Sequence, residues 1–261
     1  MEIITSKENR YIKAARALNS AKGRAEQNLL PVEGLRLAEE ALAAGAELGF
    51  ALVTEQLSAN PRGAALVDKL EQSGCPLLQV PEKLLMQVAD TEHPQGVFLA
   101  VRRAAKPLPR QGRCFVVCDR LADPGNLGTI FRTALAAGVD GLLLTPGCAA
   151  WDSPKVVRSS MGAVFRLPIY AAPEAELLDI LREQGARVLL TAADGAERFD
   201  RIELATPHAW VMGSEAAGCS DFWHEAADAK VYLPMAEGAE SLNVAVAAGI
   251  LMYQSFIVEC N

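Results

Sequence analysis

Cys114-Phe115-Val116-Val117-Cys118, followed by Asp119 and then by Asp123-Pro124-Gly125-Asn126-Leu127-Gly128-Thr129-Ile130-Phe131-Arg132, decides how this chain folds. An unbroken apolar run predicts a strand buried on both faces, as in a parallel sheet. The chain then turns through Asp123-Pro124-Gly125 and enters a helix over residues 126–137, closed by Gly138. Asn126 is a good cap for that helix, because its side-chain oxygen can accept from a free backbone N–H. Strand-to-helix turns of this kind are where open α/β sheets bind ligands.

Downstream the alternation continues. Strands are expected at residues 142–144, 167–170, 188–190, 210–212 and 230–233, and helices at 154–161, 174–184 and 241–256. Strands alternating with helices imply a mostly parallel sheet covered on both sides. Upstream, residues 104–112 carry two prolines and a glycine and read as a linker. Before it lies a smaller α/β region over residues 1–103, with helices at 9–19, 35–44 and 61–72 and strands at 50–53, 77–80 and 97–101. The expected division is an N-terminal domain over 1–103, a linker over 104–112 and a larger domain over 113–261.

Composition narrows the function classes. The chain has 261 residues, 51% of them hydrophobic, enough for a substantial core without disulfides. Six cysteines occur without a Cys-x-x-Cys pair, and His93, His208 and His224 are scattered, so zinc-ligand spacing is absent and no metal is expected. No signal-peptide core opens the chain. The apolar stretch 244–258 is interrupted by Gln254 and Ser255 and is shorter than the roughly 20 residues a bilayer helix needs. A cytoplasmic protein without a membrane segment is expected. The net charge of −7 argues against a generic nucleic-acid coat, although two basic clusters stand out. One contains Lys7, Arg10, Lys13, Arg16, Lys22 and Arg24. The other contains Arg102, Arg103, Lys106, Arg110 and Arg113. Either is a phosphate-binding patch or a solvated charged face.

Two further segments have the same strand-then-glycine character: Val211-Met212-Gly213-Ser214-Glu215-Ala216-Ala217-Gly218, and Leu233-Pro234-Met235 leading to Glu240-Ser241-Leu242-Asn243-Val244. Gly213 lets backbone pass close to a ligand. Glu215 is a carboxylate at a helix start, and Ser241 or Asn243 can cap the last helix. Together with residues 119–132, these segments resemble the signature motifs of the SpoU (TrmH-like) RNA ribose 2′-O-methyltransferases of the SPOUT superfamily. Lys155, Arg158 and Ser159-Ser160-Met161-Gly162 are similar to a further family motif, and Val32-Glu33-Gly34-Leu35-Arg36 with residues 90–97 resembles the substrate-binding domain that precedes the catalytic domain in many members.

The resemblance implies an α/β fold in which the C-terminal sheet carries a deep trefoil knot and the N-terminal domain is an RNA-binding fold similar to small ribosomal proteins. It implies S-adenosylmethionine as cofactor, a homodimer paired through the catalytic domains near the final helix, and structured RNA as substrate, ribosomal in preference to transfer RNA. Arg132, Asn126, Glu215, Ser241 and Asn243 match catalytic positions. Thr191, Ala192, Gly213, Gly218, Leu233, Met235 and Leu242 fall where the cofactor is held. Arg10, Lys13, Glu33, Arg36, Lys155 and Arg158 are candidate RNA contacts; Lys155 and Arg158 share a helix face that is either an RNA-facing edge or an ordinary solvated one. The stretch Cys148-Ala149-Ala150-Trp151 departs from the more polar sequence usual in the family.

Rival readings fit less well. No Gly-x-Gly-x-x-Gly follows the first strand of the larger domain, Cys219 stands where a phosphate-loop lysine is needed, and no Gly-x-Ser-x-Gly elbow is present. The remaining alternatives are an RNA-binding or ribosome-assembly factor that keeps the fold and transfers nothing, and a transfer-RNA 2′-O-methyltransferase.

Overall fold

A computed structural model describes residues 1–261 except Ala105, Asp194, Ala196, Glu215, Ala216, Glu240 and Asn261, and excepting the side chains of Glu259 and Cys260. The chain divides into two compact units, Met1–Ala104 with Asp152–Phe165, and Ala105–Trp151 with Arg166–Asn261.

In the first unit the order is β1 (Glu2–Ile3), α1 (Arg10–Ala17), α2 (Ala21–Gln27), β2 (Leu29–Glu33), α3 (Leu35–Ala43), β3 (Leu48–Val53), α4 (Pro61–Gln72), β4 (Leu77–Gln79), α5 (Glu82–Leu85) and β5 (Val97–Arg102). The strands form one mixed sheet in the order β1-β4-β3-β5-β2, with β5 antiparallel to both neighbours. Ile12, Leu18, Phe50, Leu52, Leu85 and Phe98 fill the space between this sheet and its helices. Burying each such side chain contributes about 1.5–3 kcal/mol. Asn9 and Asn60 cap α1 and α4 through their side chains, and Pro61 occupies the first turn of α4, where its missing N–H costs nothing.

Each of the two basic clusters is partly neutralised. Arg24, expected in an open cationic patch, is 3% exposed; its Nε lies 3.1 Å from Asp152, and Arg103 Nε approaches the same carboxylate at 2.7 Å. A buried cation needs such a partner to offset its lost hydration. Arg102 pairs with Glu47, Arg113 with Asp140, and Lys13 with Glu8.

The second unit contains β6 (Cys114–Cys118), α6 (Pro124–Ala136) and β7 (Gly141–Leu144). The chain then gives α7 (Pro154–Ser159) to the first unit and continues as β8 (Ile169–Ala171), α8 (Glu174–Glu183), β9 (Arg187–Thr191), β10 (Glu197–Arg198), β11 (His208–Met212), α9 (Asp221–Ala226), β12 (Ala229–Tyr232) and α10 (Val244–Cys260). Seven strands pair in the order β10-β12-β9-β11-β6-β7-β8, every pair parallel. All five residues of β6 are buried, as its apolar run requires. One face packs on α8 and α9 through Leu177, Leu181 and Trp223. Leu127, Ile130 and Phe131 of α6 and Leu251 and Met252 of α10 are also buried, and these two helices pack against each other. Chain order reverses at β6: β7 and β8 lie to one side, β11, β9 and β12 to the other. No helix among the described residues is long and apolar enough to cross a membrane.

A buried polar knot anchors α10 to β11. His208 Nδ1 lies 3.2 Å from the Ala205 carbonyl, which can only accept, so Nδ1 carries the proton and Nε2 accepts from Ser255 Oγ at 2.7 Å. Ser255 Oγ in turn accepts from Trp210 Nε1 at 2.8 Å. Burial pushes the His208 pKa below its ordinary 6.5. The unfolded chain therefore takes up a proton near pH 6.5 that the folded chain refuses until lower pH. Unfolding is favoured as pH falls through that interval, so urea midpoints should drop between pH 7 and pH 5. Ser255→Ala strands two buried ring nitrogens and should cost about 1–3 kcal/mol in the same measurement.

Candidate active site

The site is built at the C-terminal ends of β6, β9, β11 and β12. Asp119, directly after β6, is fully buried. It accepts from the Ser220 backbone N–H at 2.7 Å and from Thr145 Oγ1 at 2.9 Å, tying together the segments that follow β6, β7 and β11. Arg120 follows in a left-handed conformation (φ +55°), with its N–H donated to Thr145 Oγ1 at 3.0 Å. Non-glycine residues adopt that conformation rarely, and it recurs at functional sites.

Asp123, not Asn126, caps α6: its Oδ1 accepts from Asn126 N–H at 2.7 Å, and Pro124 begins the helix. The expected cap is thus displaced three residues upstream. Asn126 instead accepts, through Oδ1, a hydrogen bond from Asn243 Nδ2 at 3.0 Å. Asn243 Oδ1 accepts from Ala245 N–H at 3.0 Å, so it also opens α10. Two asparagines 117 residues apart in sequence are held against each other.

The loop after β11 is closed by two backbone hydrogen bonds between Ser214 and Gly218, at 3.0 and 2.8 Å. The backbone packs so tightly there that a Cβ on Gly213 would sit 2.2 Å from the Gly218 carbonyl carbon. Only glycine fits.

This loop is one wall of a cavity of about 780 Å³ that opens to solvent. Thr191 and Ala192 come from the end of β9, Gly213 and Gly218 from the β11 loop, Leu233 and Met235 from the segment after β12, and Ser241 and Leu242 from the approach to α10. All seven expected cofactor positions therefore line one space. A second cavity of about 460 Å³ adjoins it, sharing Ser214 and Val244, and is bounded by Arg120, Leu121, Asp123 and Asn126. It sits at β6, where strand order reverses, the usual ligand position in such sheets.

The remaining expected residues are placed as follows. Arg132 is exposed on α6, lines neither cavity, and has no hydrogen bond or ion pair among the described residues. Glu215 lies outside the described residues. In the first unit, Arg10 stacks over the Tyr11 ring at 4.7 Å, Arg36 and Lys155 are exposed, and Arg158 pairs with Asp90 at 2.7 Å. Glu33 is only 7% exposed; its carboxylate accepts from Asp90 N–H at 2.6 Å and from Thr91 Oγ1 at 2.9 Å, so it braces its own domain. Asp119, Arg120 and Thr145 were not singled out from sequence. An acid or a hydroxyl just after a strand looks like any loop residue until its partners are known.

Thiol chemistry has no footing here. Burial pushes the Cys219 thiol up to about 12 and raises Cys118 and Cys148 as well. No group of three or more potential metal ligands occurs among the described residues.

Comparison with known proteins places this geometry. Residues 113–253 match the SpoU rRNA Methylase family, and residues 9–99 match the MRM3-like substrate binding domain. The chain is 35% identical to an uncharacterized tRNA/rRNA methyltransferase of Synechocystis, over 97% of this chain and 92% of that protein. It is 32% identical to the Bacillus subtilis 23S rRNA (guanosine(2553)-2′-O)-methyltransferase RlmP, over 97% and 98%. The crystal structure of an AdoMet-bound rRNA methyltransferase from Sinorhizobium meliloti superposes with a TM-score of 0.86 at 32% identity, covering 97% of each chain.

Proposed function

Because this chain belongs to the SpoU family of RNA methylases, we propose that it transfers a methyl group from S-adenosylmethionine to a ribose 2′-hydroxyl of ribosomal RNA. The observation that carries the reading is the juxtaposition of two cavities. One is lined by the loops after β9, β11 and β12; its neighbour contains Asn126.

The residues present suit the cofactor. A largely apolar cavity, with a Gly213 that tolerates no Cβ, can enclose a nucleoside and an aliphatic chain and direct hydrogen bonds from main-chain groups. Backbone at Gly213, Leu233 and Leu242 would hold it, with Thr191 and Met235 at the rim. When bound, S-adenosylmethionine supplies a methyl group already activated by the sulfonium charge. The protein's own task is to align the acceptor oxygen and manage its proton.

Asn126, fixed in orientation by Asn243, offers a rigid amide dipole to the acceptor cavity. Arg132, exposed on α6 outside both cavities, is the cation that reaches the acceptor once RNA is bound. Arginine stays protonated in proteins and cannot take the hydroxyl proton as it stands. Its planar donors can hold the neighbouring phosphate and stabilise charge that develops on the 2′-oxygen. Residues 113–261 are the catalytic domain in this reading, and residues 1–103 present the RNA, by shape and 2′-hydroxyl contacts more than by base sequence. The match of residues 9–99 to a substrate-binding domain and the named ribosomal relatives support that division. The trefoil-knotted path of the C-terminal segment belongs to the same proposal. So does a cytoplasmic setting, in which the five described cysteines stay reduced.

A homodimer through α10 is also proposed. Val246, Ile250, Tyr253 and Ile257 are each at least 38% exposed and recur every three or four residues, which places an apolar stripe along one helix face. Tyr253→Glu should convert a dimer to a monomer in sedimentation velocity; an unchanged sedimentation coefficient removes α10 from the interface.

The activity itself is tested with purified protein, radiolabelled S-adenosylmethionine and ribosomal RNA lacking modifications. Calorimetric binding of the cofactor and incorporation of label into RNA are expected. Absence of cofactor binding leaves an RNA-binding factor without transferase activity.

A further inference from the structure

A third cavity, of about 590 Å³, lies at the C-terminal ends of β7 and β8. Its lining is uncharged: Pro146, Gly147, Trp151, Ala171 and Pro173 contribute, and no carboxylate or basic side chain lines it. Nothing in the methyl-transfer reading uses it. Its position is informative. Along the sheet edge, the cofactor cavity stands at β9, β11 and β12, the acceptor cavity at β6, and this cleft at the next two strands. Neighbouring strands are about 5 Å apart, so the cleft begins within roughly a nucleotide's length of the acceptor cavity.

The two spaces share a wall. Leu121, which bounds the acceptor cavity, accepts the Ala149 N–H at 2.8 Å and donates its own N–H to the Cys148 sulfur at 3.3 Å. Arg120 stands where they meet. Its stem lies against Gly147, where a Cβ would come within 3.4 Å of Arg120 Cγ. Its side chain remains 41% exposed, and its Nε is 3.6 Å from Asp119 Oδ2, an ion pair too long for a hydrogen bond.

We propose that the cleft takes the base of a nucleotide flanking the methylated one, stacked against Trp151, with Arg120 holding the phosphate between the two. This rests on the methyltransferase reading and extends it to the neighbouring residue of the same RNA strand. A base needs apolar flat surfaces above and below it, and a guanidinium supplies paired donors for the connecting phosphate. An uncharged cleft carrying Trp151 and an arginine at its border are present, in the order in which a strand leaving the acceptor cavity meets them.

Trp151 allows a direct test. Trp210 and Trp223 are fully buried, so Trp151 is the tryptophan accessible to a stacking base. Adenosine ribotetranucleotide, titrated into the full-length protein, should quench tryptophan emission. By anisotropy of the labelled tetramer, Trp151→Leu should bind roughly 10-fold more weakly and Trp151→Phe nearly as well as wild type. Arg120→Ala should lower the salt dependence of tetramer binding by about one phosphate contact. Calorimetric affinity for S-adenosylmethionine should be the same in both Trp151 variants, which separates the cleft from general misfolding. Tetramer affinity unchanged in Trp151→Leu, or no quenching in a wild-type protein that methylates ribosomal RNA, overturns the cleft and leaves the transferase reading intact. A wild-type protein that binds no cofactor defeats that reading first.

Discussion

Arg132→Ala should lower methyl transfer to ribosomal RNA by about 100- to 1,000-fold while leaving S-adenosylmethionine affinity unchanged. The magnitude is that of removing one positioned donor from a site where negative charge develops. The selectivity follows from position: Arg132 is exposed on α6 and does not line the cofactor cavity. Arg132→Lys keeps the charge but loses the paired planar donors, so it should recover only part of the rate. Its rate-against-pH profile should retain the wild-type shape if the residue acts as a cation. A new ionisation appearing near the lysine range would instead show that this position exchanges the proton. An alanine variant with undiminished transfer removes Arg132 from the chemistry.

Gly213→Ala should weaken cofactor binding by a different route. The added methyl would lie 2.2 Å from the Gly218 carbonyl carbon and 2.3 Å from the Cys219 nitrogen, so the backbone of the closed loop must move. Overpacking of this severity costs about 3 kcal/mol, which corresponds to roughly 100-fold in dissociation constant if the loop opens to relieve it. Calorimetry with S-adenosylmethionine reads the affinity, and a urea titration separates loop opening from global unfolding. Wild-type affinity in this variant contradicts the placement of the cofactor against that loop.

Much of this architecture was legible before any coordinates. Cys114–Cys118 is a strand with the bounds its apolar run suggested, because a central parallel strand has no polar face to blur its ends. Pro61–Gln72 was equally clear, with a proline opening it and Gly74 just beyond its end. Short or compromised elements were not. Pro31 argues against a strand, yet β2 runs through it because β2 is an edge strand whose missing donor costs no ladder hydrogen bond in the sheet interior. Helix α2 is not legible locally, because its charges, Lys22 and Arg24, read as a surface patch; the buried pairing of Arg24 with Asp152 depends on a residue 128 positions away.

The site shows the same division. Motifs spread over residues 191–242 converge on one cavity, because each motif marks the C-terminal end of a parallel strand and those ends share one edge of the sheet. What sequence could not supply was the contact order among side chains. Asn126 looked like a helix cap and proved to be the partner of Asn243, while Asp123 caps. Lys155 and Arg158 follow β7 in sequence but pack with the first unit, where Arg158 meets Asp90. Local pattern names such residues without saying what they touch.

The most direct measurement is a map of 2′-O-methyl groups in total RNA from cells with and without the gene. Loss of one ribosomal ribose methylation, restored by the wild-type gene and not by Arg132→Ala, is the expected outcome. A ribosomal methylation pattern identical in both cells, or full restoration by the alanine variant, would contradict the assignment.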